Sequence, residues 1–222
     1  MMASCELCDV VRLGADREFE RRCGGPPRVI AVSDHMAAMP SLGGLTAHHA
    51  LILPTAHHRG TASMAVDRQT EIWEVAEQVR ATYRQLGLNS VVFEHGLPPS
   101  SGHGCGVDHA HVHVVGVAPS LRISAPDGSW TESSDGPLAL TIDASREYLV
   151  VGLDDGRWLL RYEAAVRSQY LRRWLAAALD EPSWDWRATC NDRRVGPQIE
   201  VLRMSLDPAV TRSEAAPGRT AA

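Results

Sequence analysis

The 222-residue chain has no lysine, few aromatic side chains and no long apolar run. All 22 basic residues are arginine, and with 27 acidic residues the formal net charge is −5 at pH 7. Such a chain has no general basic field for attracting nucleic acid. It also has no apolar run of about 18 residues that would span a membrane, and no apolar signal core at its N-terminus. We therefore expect a cytoplasmic protein that binds neither nucleic acid nor membrane.

The number of cysteines does not indicate a disulfide framework. The chain has five cysteines, an odd number, which favours thiols or metal ligands. Cys5-Glu-Leu-Cys8 has the spacing of one half of a tetrahedral zinc site, and the other two ligands must come from elsewhere. A pair of solvent-facing thiols on a loose N-terminus is the alternative. The other cysteines are interpreted as free thiols: Cys23, Cys105 and Cys190.

Histidine is the residue type that the chain has in a meaningful pattern. In the stretch from Asp108 to Val115, His109, His111 and His113 alternate with apolar residues, which predicts a half-buried β-strand with three imidazoles on one face. Side chains two apart on a strand are separated by about 7 Å, so the outer two lie about 13 Å apart. They are too far apart to bind one metal ion together, so we expect the three imidazoles to have different roles.

This stretch also has two simpler interpretations. With 10 histidines in the chain, the repeat could arise by chance on a merely structural strand. Alternatively, two of the three imidazoles could chelate zinc from one strand without any catalysis.

The stretch from His109 to Val115 resembles the signature of the histidine-triad superfamily of nucleotide hydrolases and transferases. A second stretch, His49-Ala-Leu-Ile-Leu-Pro54-Thr-Ala-His57, resembles the strand that precedes this signature in the family. The resemblance covers roughly residues 5 to 117. It implies that His111 is the nucleophile, that His113 holds the non-bridging oxygens of a phosphate, and that His109 orients the site. His49 is a secondary candidate on the phosphate side.

The same resemblance implies a metal site. In zinc-carrying branches of the superfamily, and in the related galactose-1-phosphate uridylyltransferases, an N-terminal C-x-x-C is completed by two histidines. Transferred residue by residue, the implied zinc ligands are Cys5, Cys8, His57 and His109. His58 is the substitute if His57 does not reach the metal.

Several positions depart from the family pattern. Ser41 stands where an acid or Asn usually binds ribose hydroxyls, and one hydroxyl cannot accept two hydrogen bonds as a carboxylate does. Glu94 and His95 occupy the usual Asn-x-Gly position, where Glu94 would suit a cationic or hydroxyl-rich leaving group. Cys105, next to Gly106, replaces a usual donor to the phosphate or the leaving group. Ser41, Glu94, His95 and Cys105 remain candidate substrate-binding residues.

The segment after Pro119 lies outside the resemblance. Residues 147–152 and 157–162 predict a hairpin, and a helix is predicted from Glu163 to Leu179. Gln169, Arg172 and Arg173 share one face of that helix, which would either close over an anionic substrate or be a solvated face. We divide the chain into a catalytic domain at 1–119, an extension packed on it at 120–206, and a disordered tail at 207–222.

The predicted fold class is α+β: a mostly antiparallel sheet like that of the histidine-triad proteins, one long helix, and a C-terminal β-β-α extension. The predicted function is a hydrolase or transferase of nucleotidyl or phosphoryl groups that uses a covalent histidine intermediate and a structural zinc. Its partner would be a nucleotide or another small phosphorylated metabolite, and the resemblance implies a homodimer. A catalytically silent nucleotide-binding module is one alternative. The other is the same fold recruited to a different reaction in a specialised pathway.

Overall fold

The computed structural model describes residues 5–14, 28–99, 107–162, 166–189 and 194–206. Their strands form one eight-stranded sheet in the order β1-β2-β3-β5-β4-β7-β8-β6, and every pairing in it is antiparallel. The strands are β1 Ile30–Ala31, β2 Met36–Pro40, β3 His49–Pro54, β4 Asn89–Gly96, β5 Val112–Val117, β6 Thr131–Ser133, β7 Tyr148–Gly152 and β8 Trp158–Tyr162.

Helices cover both faces of this sheet. They are α1 Glu6–Leu13, α2 Val66–Gln85, α3 Tyr170–Ala178 and α4 Val195–Leu206. One apolar core joins the sheet to α2 and α4, while two separate cores on the other face join it to α1 and to α3. Because successive strand residues face opposite sides, β4 sends Val92 into the first core and Val91 and Phe93 into the α3 core. The gap between α1 and α3 leaves part of that second face uncovered.

The structure confirms the α+β class, the antiparallel sheet and the long helix. The hairpin predicted around Asp154-Asp155-Gly156 is also present, as β7 and β8. These elements have strong local signals: three-and-four apolar spacing for α2, and two apolar runs separated by a turn for the hairpin. The all-apolar run after His49 is a central strand buried on both faces, as expected.

Two local predictions are wrong. The histidine strand begins at Val112 and is buried on both faces, because helices cover the sheet on both sides. The helix predicted from Glu163 begins only at Tyr170, because Gln169 has a left-handed backbone with φ of 57°. The helices α1 and α4 were not predicted.

The C-terminal half extends the same sheet. Strand β7 pairs directly with β4, from Val92 with Gly152 to Gly96 with Tyr148. The division at residue 119 falls between β5 and β6 and stays a prediction, while Cys23, Cys105, Cys190 and the tail at 207–222 lie outside the described residues. Among the helices of the described segments, none has the length and apolar character needed to cross a membrane.

Candidate functional site

A cavity opens on the second face of the sheet, in the gap between α1 and α3. It holds two of the three alternating imidazoles, those of His111 and His113, together with Ser41, His95, Gln169 and Arg172. The rest of its wall is made by Glu6, Leu7, Arg28, Leu42, Leu51, Phe93, Leu97, Val107, Leu171 and Trp186. The structure thus brings six of the sequence-predicted site residues to one cavity.

A backbone carbonyl sets the tautomer of His111. Its Nδ1 lies 2.7 Å from the carbonyl oxygen of His109. A carbonyl only accepts hydrogen bonds, so Nδ1 carries the proton and Nε2 keeps a lone pair. The nitrogen with an available lone pair is therefore Nε2.

His113 is oriented by a second imidazole behind it. The backbone N–H of Leu45 donates to Nδ1 of His49 at 3.1 Å, so the His49 proton lies on Nε2. That Nε2 donates over 2.8 Å to Nδ1 of His113, which leaves His113 with its proton on Nε2. His113 also stacks on Phe93, with 4.3 Å between ring centroids. His49 therefore fixes His113 as a hydrogen-bond donor and does not line the cavity.

Burial favours the neutral form of His111 and His113. Burial lowers the pKa of His111, although the His109 carbonyl opposes this, and the charges of His95 and Arg172 lower it further. Burial and the neighbouring His111 hold the pKa of His113 well below its usual range. A neutral imidazole is a competent nucleophile, and a neutral N–H can hold a phosphate oxygen.

A compact cluster of cysteine and histidine joins α1 to the sheet. The potential ligand atoms of Cys5, Cys8, His57 and His109 all lie within 4.8 Å of one another. The Cys8 Sγ lies 3.3 Å from Nδ1 of His57 and 3.4 Å from Nδ1 of His109. His109 Nε2 donates to the carbonyl of Pro54 at 2.9 Å, which leaves the Nδ1 lone pair for a metal.

The donor set fits a tetrahedral Zn²⁺, which needs four such ligands at about 2.0 to 2.3 Å. Burial and the adjacent Cys5 sulfur raise the pKa of Cys8 to about 11, so a nearby cation is needed to hold this sulfur as a thiolate. Of the two neighbouring candidates, His57 points at the sulfurs, whereas His58 contacts Ser63 Oγ at 3.4 Å.

Residues of α3 and of the segments that flank it close one side of the cavity. The Arg172 guanidinium is buried and donates to Ser41 Oγ at 3.2 Å, to the carbonyl of Trp184 at 3.0 Å, and to the carbonyl of Gly43. Gly43 has φ of 56°, and a Cβ there would lie 1.9 Å from Thr189 Oγ1. The hydrogen bonds of Arg172 thus attach residues 41–44 to the C-terminal segment, and the lack of a side chain at Gly43 allows the close approach of Thr189.

His95 is paired with a carboxylate at the cavity wall. Its Nε2 lies 2.7 Å from Glu147 Oε1. The same oxygen accepts the backbone N–H of Val166 at 3.3 Å, which helps to hold the carboxylate in place.

Besides His49, two predicted substrate contacts among the described residues do not line the cavity. The carboxylate of Glu94 faces the opposite side of the sheet from His95, because the two are consecutive on β4; it accepts bonds from the backbone N–H and the hydroxyl of Thr61, both at 2.6 Å. The Arg173 guanidinium stacks over the Trp184 ring at 3.4 Å instead of facing the site. Cys105 lies outside the described residues.

Sequence reasoning missed several wall residues. Arg28 and Trp186 come from segments without a motif, and Glu6 and Leu7 lie between the two cysteines of the C-x-x-C pair. Glu147, which does not itself line the cavity, lies 52 positions from its partner His95. Only Phe93 could have been predicted from the sequence pattern, because it lies on the same face of its strand as His95. The other wall residues are brought to the cavity by tertiary packing.

Glu94 gives a prediction for stability against pH. Burial raises its pKa from 4.5 to about 7, so the folded protein holds this proton more tightly than the unfolded chain does. The resulting stabilisation is complete below pH 4.5 and is lost as pH rises through about 7, with a magnitude up to about 3 kcal/mol. We expect Glu94→Gln to remove this contribution, so that its free energy of unfolding falls less between pH 5 and pH 8 than that of wild type.

Urea denaturation at several pH values measures this difference. Glu74→Gln replaces an exposed acid on α2 and should keep the wild-type slope. A Glu94→Gln protein with the same slope as wild type would show that Glu94 is ionised at neutral pH in the fold.

A family model described as "Protein similar to CwfJ C-terminal" matches residues 26–126, a range that includes β1 through β5 and all three alternating histidines. No protein of curated function gives a significant match.

Solved structures that the chain is similar to include three with histidine-triad descriptions. A zinc-bound histidine triad family protein from Mycobacterium smegmatis is 18% identical, with a TM-score of 0.40 over 56% of this chain and 84% of that one. A HIT family hydrolase from Clostridium thermocellum is 16% identical, with a TM-score of 0.38 over 57% and 98%. A hypothetical histidine triad nucleotide-binding protein from Sulfolobus tokodaii is 13% identical, with a TM-score of 0.37 over 79% and 92%.

At these levels of identity and overlap, the function is inferred from this chain's own residues. Kinship with the galactose-1-phosphate uridylyltransferase branch stays a prediction.

Proposed function

We propose that this protein is a hydrolase or transferase of nucleotidyl or phosphoryl groups that works through a covalent intermediate on His111. The observation that carries the proposal is the bond from His111 Nδ1 to the His109 carbonyl, which leaves the Nε2 lone pair available for the cavity. Burial keeps the pKa of His111 low, so the lone pair is available at pH 7. Attack by Nε2 on phosphorus divides one displacement into two easier steps.

His113 would stabilise the charge that develops on phosphorus. Its Nε2 proton, fixed by the bond from His49 to Nδ1, is a donor suited to a non-bridging phosphate oxygen. Because the His49 ring is itself held by the Leu45 N–H, the donor is preorganised and needs no rearrangement during the reaction.

The cavity wall supports a small phosphorylated substrate with an apolar part. Arg28 and Arg172 are buried cations at the wall, and phosphate is a preferred partner of arginine. Phe93 and Trp186 provide aromatic surface for a base or a similar group. We therefore propose a nucleotide or related metabolite as substrate, with no nucleic acid or membrane partner, and a homodimer as the assembly.

Cys5, Cys8, His57 and His109 would hold one structural zinc ion. When bound, the metal supplies a fixed cross-link, because all four positions are protein ligands. His109 then has two tasks: Nδ1 binds the metal, and its carbonyl oxygen holds His111. The metal site thereby orients the nucleophile without contacting the substrate.

Trapping the adduct tests the proposal. A phosphorylated imidazole has a P–N bond that is labile in acid and survives alkali, so rapid quenching in alkali followed by peptide mass spectrometry locates it. We expect a nucleotidyl or phosphoryl mass on the peptide that contains His111. Tight nucleotide binding with no adduct and no turnover would favour the silent binding module, and turnover with inversion at phosphorus would favour direct displacement.

A further inference from the structure

We propose that His95, held by Glu147, is the general acid–base of this reaction: it protonates the leaving group in the first step and activates the incoming water or other acceptor in the second. The inference rests on the proposed function, because it assigns a group to each half of the covalent route. It concerns a pair of residues outside the three alternating histidines.

The sheet places His95 next to the nucleophile. Strands β4 and β5 are antiparallel, with Phe93 opposite His113. Two residues further along this register, His95 comes opposite His111, and side chains at paired positions lie on the same face. Both imidazoles line the same cavity.

The other imidazoles at the cavity are not suited to moving a proton. His111 is the nucleophile, and its Nδ1 proton is bonded to the His109 carbonyl. His113 carries one proton, on Nε2, and its Nδ1 already accepts the bond from His49, so giving up that proton would leave an anionic ring. Among the imidazoles that line the cavity within the described residues, His95 is the one hydrogen-bonded to a carboxylate.

The carboxylate equips His95 for both halves of the reaction. Glu147 Oε1 accepts the Nε2 proton of His95, and this bond becomes an ion pair when the ring gains a second proton. The proton that is exchanged with substrate is therefore carried on Nδ1, which is buried in this structure, so a substrate that enters the cavity must displace what covers it. Glu147 does not touch the substrate in this scheme and is a positioning residue.

The proposed reaction has two steps. In the first, the His111 Nε2 lone pair forms a P–N bond, the P–O bond to the leaving group breaks, and the leaving oxygen takes a proton from His95 Nδ1. In the second, water enters at the vacated position and loses a proton to the now neutral Nδ1 of His95. A P–O bond then forms, and the P–N electron pair returns to His111. One group serves both steps because the leaving group and the water occupy the same side of phosphorus.

Leaving groups of different basicity test the assignment. The probes are the p-nitrophenyl and ethyl esters of whichever of the four 5′-ribonucleotides labels the wild-type protein fastest. The p-nitrophenolate leaves as a stable anion, whereas ethanol requires a proton. We expect His95→Gln to slow adduct formation from the ethyl ester by about 10² to 10⁴-fold and to leave the p-nitrophenyl rate nearly unchanged.

The second step gives an independent readout. Because His95→Gln also lacks the base that activates water, the adduct formed from the p-nitrophenyl ester should accumulate to a higher level than in wild type. Glu147→Gln should show a smaller loss with the same selectivity for the ethyl ester. His35→Gln changes an exposed histidine away from the cavity and should match wild type with both esters.

Each outcome decides the matter. A parallel loss of both rates in His95→Gln would mean that His95 only shapes the cavity, and would overturn the proposal while leaving the covalent route intact. Absence of any adduct in wild type with either ester would instead refute the proposed function. Selective loss with the ethyl ester, together with accumulation of the adduct from the other ester, supports the His95–Glu147 pair.

Discussion

His111→Gly is expected to reduce turnover by about 10³ to 10⁶-fold and to abolish the trapped adduct, because removing a nucleophile removes the whole covalent route. The glycine leaves a space beside the His109 carbonyl, the group that holds Nδ1 in wild type. Free imidazole that enters this space would be oriented by the same carbonyl. We therefore expect added imidazole to restore part of the turnover, measured as product formed against imidazole concentration.

The variant His113→Ala distinguishes the role of the nucleophile from that of the hydrogen-bond donor. It removes one preorganised N–H, which costs about 3 to 4 kcal/mol in the transition state, but it leaves His111 in place. The variant should be slow and yet still carry the label on His111, and imidazole should not restore its rate. If His111→Gly retains a labelled peptide, the nucleophile is another residue. His35→Gly serves as the control for an exposed histidine changed in the same way.

Replacing Cys5 and Cys8 together by serine is expected to remove the bound zinc and most of the protein's resistance to unfolding. Structural zinc sites bind with an apparent free energy on the order of 10 kcal/mol, comparable to the whole stability of a typical domain. The site joins α1, the end of β3 and the start of β5, so its loss also frees the helix that carries Glu6 and Leu7 to the cavity. Elemental analysis and thermal melting measure both effects.

Two comparisons control this experiment. A chelator should lower the melting temperature of wild type toward that of the double variant and leave the variant unchanged. His57→Gln should lose zinc and His58→Gln should keep it, since only the former ring faces the sulfurs. One zinc per chain in the double variant, or a wild-type melt that ignores the chelator, would contradict the proposed site.

The alternation of His109, His111 and His113 was sufficient to predict that His111 and His113 face the same side of the sheet, but not the environment of the strand. Alternating apolar residues indicate which side chains share a face, yet they do not tell whether a second layer covers that face. Here α1, which was not predicted, and α3 cover it. The half-buried groove predicted from sequence is therefore a cavity between two helices.

Spacing identified the right group of residues around α3 and could not choose among them. Gln169, Arg172 and Arg173 were placed on one helical face. Because the backbone of Gln169 is left-handed, however, the helix begins one residue after it, at Tyr170. Arg172 then points into the protein, while Arg173 stacks on Trp184. Which of two adjacent arginines is buried depends on the docking of the helix, which no local pattern encodes.

Glu94 and His95 show a signal that was present and not used. Consecutive residues of a strand must face opposite sides, so the two could not both reach one cavity. The partners that each side chain finds, Thr61 for one and Glu147 for the other, come from distant parts of the chain. Contacts of this kind become visible only when the order of the strands is known.

The order of the strands also has a consequence for synthesis. The first 117 residues contain β1 through β5, and within them β4 is hydrogen-bonded only to β5, so its other edge presents unpaired N–H and C=O groups. That edge is covered when Tyr148 to Gly152 arrives as β7, more than 50 residues after β4 ends. A nascent chain on the ribosome must therefore pass through a stage in which an apolar strand can pair with a neighbour. The C-terminal hairpin acts as the chain's own protection against aggregation.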